Sequence, residues 1–156
     1  MRRTALVVGL ALGLVAAGSA AGIVFAFRGD NTSDGLSRTA YLAQANAICE
    51  SYNKRLDRIP PPLDPASPGA VYESIGLALP LLRRQSRKVH ELVPPRELRR
   101  DVERFFVLTD RALDHLQEAR RHAGLRELFP MVQSLSAFGR VRDDAKVVSK
   151  SIGFKC

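Results

Sequence analysis

The feature that most constrains this chain is a run of 24 residues, Thr4 to Phe27, that contains no charged side chain. As an α-helix, a run of this length would extend about 36 Å, and the hydrocarbon core of a bilayer is roughly 30 Å thick. Arg2 and Arg3 precede the run, and Arg28 follows it. The sequence therefore predicts a transmembrane helix within residues 1–28.

Two fates of this segment fit the sequence. A secretory signal has a shorter apolar region that ends in small residues, and Gly18-Ser19-Ala20 fits such a cleavage site. Cleavage there would leave the apolar residues 23–27 exposed at the new terminus, which favours retention as a signal anchor. Because basic residues stay on the cytoplasmic side, the N-terminus then lies in the cytoplasm and the remaining chain lies outside. We expect a single-pass protein of the cell membrane, with secretion after cleavage as the alternative.

The rest of the chain is predicted to be all-α. Its apolar residues recur at steps of three and four, and aromatic residues make up only 6% of the sequence, which does not favour a β-rich fold. A short polar tether at residues 29–36 leads to a domain at residues 37–156. We expect four amphipathic helices there, at about residues 38–58, 70–92, 96–122 and 128–152. Since the connections are short, an antiparallel four-helix bundle is the expected architecture.

Prolines and capping residues mark the boundaries of these helices. Ser37 is a suitable N-cap for the first helix. Five of the nine prolines fall within residues 59–69, which predicts an extended loop. Gly76 and Pro80 predict a kink in the second helix or a later start. Pro130 leaves the start of the last helix open.

Cys49 and Cys156 are the only two cysteines. Export would place both in a compartment where disulfides persist. A bond between them would close a loop of 107 residues, and the chain-entropy model assigns such a link about 4 to 5 kcal/mol. A buried free Cys49 with a reactive thiol on Cys156, or a bridge between two chains, remains an alternative.

Basic residues concentrate around the connection between the second and third predicted helices. Eight cations flank Pro94-Pro95 against four acids, and in the antiparallel bundle this connection lies at the membrane-proximal end. The cations are candidates for contact with anionic lipid head groups, at about 1 kcal/mol for each well-placed base. Alternatively, the charges complement the dipoles of the two helices. The eight candidate residues are Arg83, Arg84, Arg87, Lys88, Arg96, Arg99, Arg100 and Arg104.

Few residues indicate catalytic or metal chemistry. His115, Glu118 and His122 share a helical face and are weak candidates for metal ligands, because a solvated face explains the same spacing. The chain has no glycine-rich phosphate loop and no nucleophile elbow, so we expect neither an enzyme nor a bound cofactor.

The net charge of +8 favours anionic partners. Export separates the domain from nucleic acid, so we expect no nucleic-acid binding.

Two segments carry a resemblance. Residues 41–49, with the sequence YLAQANAIC, and residues 152–156, with the sequence IGFKC, resemble a pattern in uncharacterised small exported or membrane-anchored helical proteins of actinobacteria. The resemblance implies an envelope location and the pairing of Cys49 with Cys156. It brings no catalytic residue to this chain.

Topology and charge together lead us to expect a non-catalytic binding or interaction module of the cell envelope. Its expected partners, besides the membrane that anchors it, are anionic lipid head groups or an envelope protein. The alternative is a sensor domain that binds a metal or a small ligand, and a hydrolase of envelope polymers ranks third. The sequence does not indicate an oligomeric state.

Overall fold

The computed structural model describes residues 36–64 and 66–156. The predicted transmembrane segment, residues 1–28, and all but the last residue of the tether lie outside the described residues. Within the described part the fold is all-helical and has no strand, which confirms the predicted all-α domain and four-helix bundle. No helix in this part is long and apolar enough to cross a bilayer. The four helices are α1 (Arg38–Leu56), α2 (Pro68–His90), α3 (Arg99–Gly124) and α4 (Leu128–Ile152).

Helix α1 begins as its sequence pattern predicts. The Ser37 side-chain oxygen accepts a hydrogen bond from the Ala40 backbone nitrogen at 3.3 Å, so Ser37 caps the helix. Tyr41, Ala45 and Cys49 recur every four residues and are fully buried. Cys49 therefore lies on the buried face of α1.

Helix α2 begins earlier than predicted and continues past its internal proline. Pro68 stands in the first turn, where a backbone N–H has no intrahelical partner to lose. The predicted late start is therefore wrong. Pro80 lies within the helix and is exposed, so water can reach the backbone there.

The connection between α2 and α3 lies beside the start of α1. The Leu36 backbone nitrogen donates to the Val93 carbonyl oxygen at 3.4 Å. A short 3-10 helix, Arg96–Leu98, then leads into α3. The basic connection is thus at the end of the bundle where the described chain begins, and α1 and α2 are antiparallel.

Helix α4 ends at a left-handed glycine, after which the tail turns back along α1. Gly153 has a φ of 99°, a conformation that glycine adopts without strain. Asn46 of α1 holds the tail twice. Its Nδ2 donates to the Gly153 carbonyl oxygen at 3.2 Å, and its Oδ1 accepts from the Lys155 backbone nitrogen at 2.8 Å.

The tail ends in the predicted disulfide. Cys49 and Cys156 form a bonded pair with Cα atoms 4.9 Å apart, which confirms the intramolecular pairing. Phe154 anchors the same segment, because its ring is buried and lies 5.8 Å from that of Tyr41 and 5.2 Å from that of Phe105. The tail therefore closes the core between α1 and α3.

The core consists of two clusters along the length of the bundle. The first includes residues of all four helices and the tail, and it lies near the α2–α3 connection. The second lies near the α3–α4 connection and contains no residue of α1. The first cluster is Tyr41, Ala45, Cys49, Val89, Leu98, Val102, Phe105, Phe106, Val148, Ile152 and Phe154. The second cluster is Val71, Ile75, Leu79, Leu113, Leu116, Ala119, Ala123 and Met131.

Candidate functional site

A groove between α2 and α3 gathers five arginines, and we call it the arginine groove. It has a volume of about 1130 Å³. Four of its arginines are exposed and the fifth, Arg120, is half-buried. Glu118 is the one acidic residue on its lining. The lining residues are Tyr72, Gly76, Leu79, Pro80, Arg83, Arg84, Arg87, Gln117, Glu118, Arg120, Arg121, Gly124 and Leu125.

The groove forms because two helices of opposite direction bring their basic positions together. On α2, the arginines at positions 83, 84 and 87 lie at steps of one, three and four and so share one side of the helix. On α3, Arg120 and Arg121 belong to the last two turns. Since α2 and α3 are antiparallel, the end of α3 lies beside the first half of α2, where Arg120 meets Tyr72, and the three α2 arginines lie further along the same groove. Cations from distant parts of the sequence thus become neighbours.

Arg120 is held in position by an aromatic ring and by a glycine. Its guanidinium carbon lies 4.3 Å from the centroid of the Tyr72 ring, a cation–π distance. A Cβ atom at Gly76 would lie 3.2 Å from Arg120 Nε, so glycine at this position leaves room for the guanidinium. Nε is buried and has no hydrogen-bond partner among the described residues. An oriented guanidinium is suited to bind an oxyanion.

Nearby acids offset part of the positive charge. Glu118 lies beside His115, with Oε2 3.3 Å from Nδ1. Asp110 and Asp114 line a smaller adjoining pocket, next to two of the five arginines. No ion pair between a groove arginine and an acid is found in the described part of the chain. The groove therefore presents an excess of arginine over carboxylate to solvent.

The eight cations that are candidates for contact with anionic head groups do not all lie in one place in the structure. Arg83, Arg84 and Arg87 line the arginine groove. Lys88 belongs to the end of α2, where its Nζ lies 2.7 Å from Glu91 Oε2, and this hydrogen bond raises the pKa of Lys88. The other four lie in or after the α2–α3 connection. These are Arg96, Arg99, Arg100 and Arg104.

Sequence reasoning missed Arg120 and Arg121. The available signal was a pair of adjacent arginines near the end of a predicted helix, which also suits the negative end of the helix dipole. Which residues of α2 they face depends on the register between two helices, and amphipathic periodicity alone does not give that register. The structure supplies it through the contact of Arg120 with Tyr72.

The three candidate metal ligands do not converge. His115 is directed to Glu118, whereas His122 Nδ1 lies 2.5 Å from Glu127 Oε2 and its Nε2 lies 3.1 Å from Arg121 Nη2. Among the described residues, no group of three His, Cys, Asp or Glu side chains is arranged to hold a metal ion. The two histidines thus have separate partners on the surface.

Comparison with known proteins does not indicate a function, so the function is argued from the geometry of the described residues. No family model, no curated protein and no solved structure matches the chain. The resemblance of residues 41–49 and 152–156 to exported actinobacterial proteins remains a prediction.

Proposed function

We propose that this protein is a membrane-anchored, non-catalytic module that binds an anionic polymer of the cell envelope through the arginine groove. The observation that carries the proposal is the convergence of five arginines on one groove between α2 and α3. The ligand is a polymer that bears phosphate groups along its length, and the groove contacts several of them at once.

The location rests on two features of the chain. The uncharged run from Thr4 to Phe27 is long enough for a single membrane crossing. The bond between Cys49 and Cys156 suits an oxidising compartment, since disulfides rarely persist in the cytosol. Together they favour a signal anchor with its N-terminus in the cytoplasm and the helical domain outside.

The choice of ligand rests on the shape and chemistry of the groove. A volume of about 1130 Å³ exceeds what one small anion fills, whereas a chain of linked phosphates would occupy it along its length. Arginine forms paired hydrogen bonds with phosphate oxygens, and lysine lacks this planar geometry.

Labelling of intact cells tests the location. The exposed Cys156 is the reporter, because Cys49 is fully buried. A membrane-impermeant thiol reagent should label the chain only after treatment with an impermeant reductant, and the labelled chain should retain residues 1–28. Labelling that requires cell lysis would place the domain inside and contradict the proposal.

Binding of inorganic polyphosphate tests the ligand class. The full-length chain, reconstituted in nanodiscs of zwitterionic lipid, should bind polyphosphate with an affinity that falls as salt rises. The double variant Arg84→Glu/Arg121→Glu should lower the affinity at least tenfold. It should also reduce the slope of log K against log salt by about two, one for each lost phosphate contact.

A matched control separates the groove from net charge. Arg100→Glu/Arg104→Glu makes the same charge change at exposed positions near the α2–α3 connection. This variant should bind polyphosphate within about threefold of the wild type. Equal losses in both double variants would mean that total charge determines binding, and the proposed role of the groove would be wrong.

A further inference from the structure

A second and chemically different site lies between α2, α3 and α4. It is a cavity of about 230 Å³, which we call the apolar cavity. Helix α3 forms its floor, α2 and α4 form its walls, and the disulfide-bonded Cys156 lies on its lining. The lining residues are Leu82, Gln85, Ser86, Val89, Phe105, Phe106, Thr109, Ala112, Leu113, Phe138, Arg142, Ala145, Lys146, Ser149 and Cys156.

The interior of the cavity offers few free hydrogen-bonding groups. Gln85 Nε2 donates to the Cys49 carbonyl oxygen and to Asn53 Oδ1, both at 3.3 Å. Thr109 and Ser149 donate to backbone carbonyl oxygens at 2.9 and 3.3 Å. Because these polar side chains have partners within the protein, what remains to contact an occupant is mainly phenylalanine, leucine, valine and alanine. An apolar body is the complementary ligand part.

The mouth of the cavity is basic. Arg142 and Lys146 are one turn apart on α4, and both are exposed. Arg142 Nη2 lies 2.9 Å from Asp143 Oδ1, and its guanidinium carbon lies 5.7 Å from the centroid of the Phe138 ring. Lys146 has no ion pair among the described residues. An apolar interior below an unpaired ammonium group complements an amphiphile with an anionic head.

We propose that the apolar cavity binds one medium-chain fatty acid, with its carboxylate at Lys146 and Arg142 and its chain against the α3 floor. A methylene group needs about the space of one water molecule, roughly 30 Å³, so 230 Å³ accommodates about eight carbons. A two-chain phospholipid exceeds this volume. This site is separate from the arginine groove and does not depend on the function proposed for it.

Photo-crosslinking of the full-length chain tests the site directly. The probe is octanoic acid with a diazirine at the end of its chain, added to the protein in nanodiscs of zwitterionic lipid. Mass spectrometry should locate the label on cavity residues such as Phe105 or Phe138. Label confined to residues 4–27 would show that the probe only partitions into the bilayer, and it would overturn the proposal.

Competition defines the ligand chemistry. Unlabelled octanoate should suppress labelling of the cavity, whereas octyltrimethylammonium, which has the same chain length and a cationic head, should not. Across acids of four to eight carbons, the competing affinity should rise about fourfold for each methylene. Equal competition by the two head groups, or no dependence on chain length, would contradict the proposal.

Two substitutions separate the mouth from the interior. Lys146→Glu should lower cavity labelling at least tenfold, while Lys150→Glu, which makes the same charge change one turn later and outside the lining, should leave it unchanged. Ala112→Leu adds bulk to the cavity floor and should abolish labelling. If Ala112→Leu also prevents folding, the comparison of Lys146→Glu with Lys150→Glu still tests the proposal. Undiminished labelling of Lys146→Glu would overturn the proposal.

Discussion

The bond between Cys49 and Cys156 should account for much of the stability of the helical domain. It closes a loop of 107 residues, for which the chain-entropy model gives about 4.7 kcal/mol. A domain of roughly 120 residues has an unfolding entropy of about 0.25 kcal/mol/K. Removing the bond should therefore lower the unfolding temperature by about 19 °C.

The two cysteines allow the bond to be separated from side-chain burial. Cys156 is exposed, so Cys156→Ser should cost only the crosslink. Cys49 is fully buried, so Cys49→Ser also buries a hydroxyl group and should cost about 1 to 2 kcal/mol more.

Urea unfolding of the full-length chain in mild detergent, followed by circular dichroism at 222 nm, measures the loss in free energy of unfolding for both cysteine variants. Reduced wild type is the control for Cys156→Ser, and the two should unfold at the same urea concentration. A loss below about 1 kcal/mol in Cys156→Ser would refute the reasoning. It would mean that the covalent link constrains the unfolded chain much less than the chain-entropy model assumes.

Three further substitutions test the packing. Tyr41→Phe should raise the free energy of unfolding by about 1 kcal/mol, because the Tyr41 hydroxyl is buried without a hydrogen-bond partner among the described residues. Burial also raises the pKa of Tyr41 from 10.0 to about 12, so the unfolded chain loses this proton first and the wild type should lose stability between pH 10 and 12. Urea unfolding at pH 8 and pH 11 should show a smaller alkaline loss in the phenylalanine variant, and equal losses would contradict the assignment. Gly139→Ala should stabilise α4 by about 0.5 to 1 kcal/mol, since a Cβ there meets nothing within 4 Å. Gly76→Ala should gain less, because its Cβ would lie 3.2 Å from Arg120 Nε, and equal gains in thermal unfolding would show that Arg120 moves freely.

Local rules predicted most of the helical architecture. The period of apolar residues located all four helices, because each must bury one face. Ser37 was identified as a cap from its residue type and position alone. The start of α2 was misplaced because Pro68 was assigned to the loop, although proline is favoured in a first turn.

The two sites needed information that periodicity does not contain. The arginine groove depends on the register that brings Arg120 against Tyr72 across two helices. The apolar cavity depends on how far apart α2 and α4 lie over α3, which is a property of packing and not of either helix. Gln85 shows the same limit. Its burial is explained by the Cys49 carbonyl oxygen and Asn53 Oδ1, which it reaches in the folded chain.

The disulfide also determines how the domain matures. With two cysteines there is one intramolecular pairing, so a chain cannot be trapped by a wrong internal bond. During synthesis Cys49 precedes its partner by 107 residues and remains a free thiol for that interval. During that interval it can also form a disulfide with a second chain. Packing of α1 against the rest of the first cluster hides the Cys49 sulfur, so slow docking of α1 should appear as covalent dimers before it appears as lost stability.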